Sequence, residues 1–126
     1  MITIQELKQH HSATQRRQEL LAAFEEELAT WKTEVDSLRL WLFGSFLSDK
    51  PEPGDIDVLL TGRLVFGPIP GPPKFTRKHP DKVQVLRLIG TEPSSKTALI
   101  EKFNAQEGNA DRGIQLHEDQ TVELSF

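Results

Sequence analysis

Apolar residues near the amino terminus recur at helical spacing. Thr3 followed by Glu6 has the pattern of a capping box, and Ile4 and Leu7 then fall on one side of a short first helix. Ser12 followed by Gln15 repeats the signal, and Leu20, Leu21, Phe24, Leu28 and Trp31 form one stripe on a longer helix reaching about Lys32. A single stripe predicts packing on a sheet. Glu25-Glu26-Glu27 and His10-His11 read as solvated surface, because consecutive helical residues diverge and cannot converge on one ion.

Beyond the helices the period changes. Leu38-Arg39-Leu40-Trp41-Leu42-Phe43 is an apolar run halted by Gly44, which predicts a strand buried on nearly both faces. Asp55 to Leu60 reads as a second strand, and the turn Lys50-Pro51-Glu52-Pro53-Gly54 makes the two neighbours. Residues 62–73, with four prolines and three glycines, read as an exposed and mobile loop. Lys82 to Ile89 alternates as a third strand. Ser94 or Ser95 caps a helix carrying Leu99, Ile100 and Phe103, which ends near a loop from Asn104 to Arg112. Ile114 and Leu116, then Val122, Leu124 and Phe126, alternate as a terminal hairpin around His117-Glu118-Asp119-Gln120. The pattern predicts one α/β (α+β) domain over residues 1–126, a mixed sheet with the amino-terminal helices on one face.

Composition narrows the chemistry. The chain has no cysteine, so a disulfide framework, a thiolate metal site and a cysteine nucleophile are excluded, and a catalytic metal would need oxygen or imidazole ligands. A formal charge of −4 argues against wholesale nucleic-acid binding. The basic cluster Lys74, Arg77, Lys78, His79 and Lys82 fits contact with a triphosphate or RNA as well as it fits a solvated loop. Trp31 and Trp41 fall on apolar patterns and read as core. No stretch approaches the roughly 20 apolar residues of a membrane span, and Met1 to Glu6 lacks a signal-peptide pattern. A soluble, cytoplasmic protein without a membrane partner is expected.

Residues two apart on a strand share a face, so Asp55 and Asp57 present paired carboxylates while Ile56 and Val58 face the core. Magnesium or manganese suits such a pair, with the phosphates of a nucleotide completing the coordination. Gly44-Ser45 directly follows a buried strand, where glycine lets the backbone approach a phosphate; a helical turn opening at Ser45 would add its dipole.

The order of these parts, Leu42-Phe43-Gly44-Ser45-Phe46, then Gly54-Asp55-Ile56-Asp57-Val58-Leu59-Leu60, resembles the polymerase-β-like nucleotidyltransferase superfamily. Its hallmark is Gly-Ser, a spacer, and Asp-x-Asp opening the next strand. The resemblance implies a nucleotidyltransferase fold, Asp55 and Asp57 as catalytic metal ligands for Mg2+ or Mn2+, and Gly44, Ser45 and Lys50 at the nucleotide phosphates. It implies transfer of a nucleoside monophosphate from a nucleoside triphosphate to a hydroxyl or phosphate acceptor. Arg16-Arg17-Gln18-Glu19-Leu20, Ser48-Asp49-Lys50-Pro51-Glu52-Pro53-Gly54 and Asp111-Arg112-Gly113-Ile114 extend the likeness to small bacterial and phage-associated stand-alone domains of the minimal type.

One departure divides the functional reading. Active members usually carry a third carboxylate on a later strand, and Gln84 stands where it is expected. Asp81 substitutes if the strand begins earlier, and is otherwise a turn cap. An amide cannot act as a general base. Two readings therefore stay open: a nucleotidyltransferase with an acceptor such as RNA, or a catalytically degenerate binding module, such as the antitoxin partner of a toxin-like protein. A structural phage or mobile-element protein is a third.

Overall fold

The capping box at Thr3 closes as the sequence predicts. Thr3 Oγ1 accepts from the Glu6 N–H at 3.1 Å, and the Glu6 carboxylate accepts from the Thr3 N–H at 3.2 Å, opening α1 (Ile4–His10). The computed structural model describes residues 1–65, 75–89, 100–101 and 121–126. The second helix, α2 (Gln15–Glu34), is capped by Thr14 rather than Ser12. Thr14 has the extended backbone that a cap requires, whereas the Ser12 hydroxyl is spent on the Lys8 carbonyl in the last turn of α1.

Among the described residues a five-stranded mixed sheet lies beside α1 and α2 in the order β1 (Ile2–Thr3), β5 (Val122–Ser125), β2 (Val35–Phe43), β3 (Ile56–Leu64), β4 (Val83–Ile89). β2 is antiparallel to β3 and β5, while β3 and β4 run parallel, as do β1 and β5. The α2 stripe Leu20, Leu21, Phe24, Leu28 and Trp31 packs with Leu40, Leu42, Ile56, Val58, Leu60 and Val83 in the main core. Trp41, Leu59 and Ile100, with Phe43 and Leu86, form a smaller cluster of the alternate strand positions. β2 is thus buried on both faces, both tryptophans are core residues, and the amino-terminal helices occupy one face, while the helical residue Ile100 packs on the other.

Two strand boundaries differ from the pattern. β2 starts at Val35, because an irregularity between Asp36 and Arg39, with Ser37 at φ 55°, carries the chain from α2 directly into the strand. β3 runs through Gly62 to Leu64, into the stretch expected to be loop. A Cβ at Gly62 would lie 2.5 Å from Val35 Cγ1 and 2.8 Å from the Asp36 carbonyl oxygen, so this glycine permits close approach of β2 rather than ending the strand. Residues 66–73 of that loop lie outside the described residues. So do Ile114, Leu116 and His117 of the hairpin and most of the helix after Ser94 and Ser95, of which Ile100 and Glu101 are helical.

Parallel strands need a crossover, and the chain returns to β4 along α2. Phe75 stacks on Trp31 with ring centroids 5.7 Å apart, and Glu34 accepts from the Thr76 N–H at 2.9 Å and its hydroxyl at 2.7 Å. Glu27 accepts from the backbone N–H groups of Lys78 and His79, the latter at 2.6 Å, and is fully buried. This corrects the solvated reading of the Glu25–Glu27 run: Glu25 and Glu26 are on the surface, but Glu27 continues the buried stripe, seven residues from Leu20 and four before Trp31. His11 is likewise not plain surface, because its ring packs 5.8 Å from that of Phe46.

Candidate functional site

The site is assembled where β2 ends and β3 and β4 begin. In register, Phe43 lies beside Asp57 and Asp57 beside Gln84. Register partners share a sheet face, and the alternate residues Ile56, Val58 and Val83 belong to the helix-side core. Asp57 and Gln84 therefore project from the face opposite α1 and α2, with Asp55 immediately before the first residue of β3.

Gly44 ties the two sequence motifs together. Its φ is +84°, a left-handed conformation that L side chains rarely adopt, and a Cβ there would overlap Asp57 Oδ2 and lie 3.1 Å from Asp57 Cγ. The Asp57 carboxylate thus rests against the bare glycine backbone. The turn at Ser45 is only a single 3-10 turn, Ser45–Leu47, too short to supply much dipole. Its carbonyl accepts from the Ser48 N–H and hydroxyl, which closes the turn.

Electrostatics mark the same place. The Asp57 carboxyl is pushed up to about 6, first by burial, then by the Asp55 charge and by the hydrogen bond between the two carboxyls. A like-charge pair of this kind would be relieved by a divalent cation, and its hard oxygen donors fit magnesium or manganese. Among the described residues no cluster of three or more His, Cys, Asp or Glu is present. Gln84, exposed and level with Asp57, is the next polar side chain along the sheet.

Asp81 lies in the turn before β4, largely exposed, with its carboxylate 3.5 Å from Lys82 Nζ. Its own backbone N–H, and then Lys82, hold that carboxyl below the usual range. Lys50 is exposed on the loop between the motifs, and its N–H donates to Ser48 Oγ at 3.2 Å. Of the basic cluster, Arg77 approaches Glu27 at 3.8 Å, His79 pairs with Glu26 at 2.5 Å and Lys82 with Asp81, while Lys74 lies outside the described residues.

Sequence reasoning singled out Arg16 and Arg17 only as part of a resemblance and gave them no part in holding the loop from Phe46 to Gly54. Arg17, on α2, is 4% exposed and donates to the carbonyls of Phe46 at 2.7 Å, Ser48 at 2.6 Å and Lys50 at 2.6 Å and 3.1 Å. Its guanidinium also lies 5.0 Å from the centroid of the Phe46 ring. Arg16 donates to the carbonyls of Pro53 at 3.2 Å and Gly54 at 2.5 Å, and the Thr14 hydroxyl to that of Pro51 at 2.8 Å. The available signal was positional: Arg17 precedes Leu20 and Leu21 by three and four residues, so it extends the apolar stripe with a charge.

A model of a family of unknown function, DUF6932, matches residues 1–115. The chain belongs to that family. The DUF6932 match takes in Arg16-Arg17, Gly44-Ser45, Asp55, Asp57 and Gln84, whereas β5 lies beyond it. No curated protein and no solved structure matches the chain.

Proposed function

We propose that this DUF6932 chain has the nucleotidyltransferase fold and binds a nucleoside triphosphate with Mg2+ or Mn2+, for transfer of the nucleoside monophosphate to a hydroxyl or phosphate acceptor. The observation that carries the reading is the packing of Asp57 against the bare backbone of Gly44, with Asp55 beside it. Gly-Ser and Asp-x-Asp, separate in sequence, are one constellation in space. Asp55 and Asp57 would hold the metal, which when bound neutralises phosphate charge. Gly44 leaves room for the Asp57 carboxylate to sit against the backbone, and Ser45 offers a hydroxyl at the mouth of the turn.

Transfer would form a bond from the acceptor oxygen to the α-phosphorus, break the bond to the pyrophosphate oxygen and release pyrophosphate. A hydroxyl acceptor must also surrender a proton, and Gln84 has no basic group to take it. That residue, in register with Asp57, favours a second reading: a binding module that retains metal and nucleotide affinity, such as an antitoxin-type protein acting with a toxin-like partner.

Thermal shift with Mn2+ and each nucleoside triphosphate tests the site. Wild type should be stabilised, and more by metal and nucleotide together than by either alone. Equal stabilisation of the Asp55→Asn, Asp57→Asn double variant would remove the site. Label transfer from α-labelled nucleoside triphosphates to RNA and to candidate protein partners separates the two readings: transfer means an enzyme, binding without transfer the module.

A further inference from the structure

We propose that Arg17, with Arg16 beside it, is a positioning residue that sets metal and nucleotide affinity without touching either ligand, an inference that rests on the proposed binding site. The loop from Phe46 to Gly54 joins the two halves of that site, and it is poor in donors of its own because Pro51 and Pro53 lack an N–H. Carbonyls in such a loop need donors from elsewhere. An arginine supplies five N–H groups and no acceptor, so it is the side chain best suited to satisfy several carbonyls at once.

Arg17 spans the first part of the loop through Phe46, Ser48 and Lys50, and Arg16 grips its end through Pro53 and Gly54. Gly44-Ser45 enters this held segment, and Asp55 leaves it directly after Gly54. The two motifs can therefore face each other in one geometry only while α2 holds the connection. Phe46, stacked under the Arg17 guanidinium and buried in the main core, anchors the same loop from below. Arg17 forms no ion pair among the described residues; its enclosed charge is met by carbonyl dipoles and a ring face, an arrangement that serves the loop rather than a partner carboxylate.

The test compares Arg17→Met and the milder Arg16→Gln with Leu28→Ala, a core truncation on the same helix that leaves the loop contacts alone. Mn2+ binding is followed by electron paramagnetic resonance, alone and with ATP, GTP, CTP or UTP, and amide hydrogen exchange is read over residues 45–50. Loss of an outer support typically weakens a metal site about 10- to 100-fold. Arg17→Met should show a loss of that order and Arg16→Gln a smaller one, with faster exchange in the loop; Leu28→Ala should keep wild-type affinity even where it loses more stability. If Arg17→Met does not fold, Arg16→Gln and Arg17→Lys carry the comparison, because lysine retains the charge without the fork. Wild-type binding that the arginine variants leave unchanged, or lower only as much as Leu28→Ala does, overturns the positioning role alone. Absence of Mn2+ binding to wild type overturns the binding-site reading itself, and the positioning role with it.

Discussion

Replacing Asp57 by Asn should stabilise the protein at neutral pH. The Asp57 carboxyl stands at about 6 in the fold against an ordinary 3.8, so its ionised form is disfavoured by burial and by Asp55. A raised folded value means that the contribution is fully present below about 3.8 and is lost as the pH climbs through about 6. At 1.36 kcal/mol per pKa unit the shift corresponds to about 3 kcal/mol. Asp57 is only partly enclosed, and solvent screening reduces this to about 1–1.5 kcal/mol. Urea unfolding of wild type and Asp57→Asn at steps from about pH 4 to about pH 7.5 measures it. The variant should gain on wild type across that window and then level off, equivalent to a rise in Tm of roughly 3–6 °C at the upper end. Adding Mg2+ at the upper pH should narrow the gap by stabilising wild type alone. A stability difference that is flat with pH would refute the reasoning, because a constant offset reflects shape or hydrogen bonding and not the charge of Asp57.

Gly44→Ala should cost about 1–3 kcal/mol for its left-handed backbone, measured by urea unfolding, and should also abolish Mn2+ binding by pushing Asp57 aside. Glu27→Gln should lose about 1.5–3 kcal/mol, since a neutral amide accepts more weakly from the Lys78 and His79 N–H groups; an unchanged urea midpoint would contradict this. Gln84→Asp should raise label transfer to a hydroxyl acceptor, because a positioned base is typically worth about 10²–10⁴ in rate. Strong wild-type transfer that the substitution leaves unchanged would mean that another group or the substrate takes the proton.

The elements with a regular or continuous apolar pattern were readable from the sequence, because burial follows the period of the element or, in a strand covered on both faces, takes in successive residues. The α2 stripe, the run from Leu38 to Phe43 and the alternation around Val58 and Val83 all lie where the pattern predicts, and the capping box at Thr3 is closed. Features set by contacts distant in sequence were not readable. β1 has two residues, too few for any period, and exists because β5 lies alongside it. Gly62 looked like a breaker, yet it is the residue that lets β3 pass close to Val35. Glu27 looked solvated because its neighbours are, although its place on the stripe was the stronger signal. The aspartate pair could be expected from strand geometry, and the place of Gln84 only from the resemblance; the contact of Asp57 with Gly44 required the two strands to be paired.

The polar residues that face inward from α2 explain why the site keeps its shape on a sheet whose core is otherwise apolar. Apolar packing is non-directional, so the stripe from Leu20 to Trp31 fixes how close α2 lies to the sheet but says little about the loops at its edge. Hydrogen bonds supply direction. Arg16 and Arg17 bind the chain just before β3, and Glu27 and Glu34 bind the segment just before β4, each through backbone groups, to which Glu34 adds the Thr76 hydroxyl and Glu27 the nearby Arg77. Because β3 and β4 are parallel, both segments lead to the end of the sheet where Asp57 and Gln84 stand level. One helix therefore sets both approaches, and a change in any of these four side chains should move the Asp57–Gln84 end more than it moves the core beneath. Backbone contacts also tolerate drift in loop sequence, since carbonyls and N–H groups remain when side chains change. Substitutions at Asp49 or Glu52 should accordingly alter what the loop presents to a ligand while leaving Gly44 against Asp57.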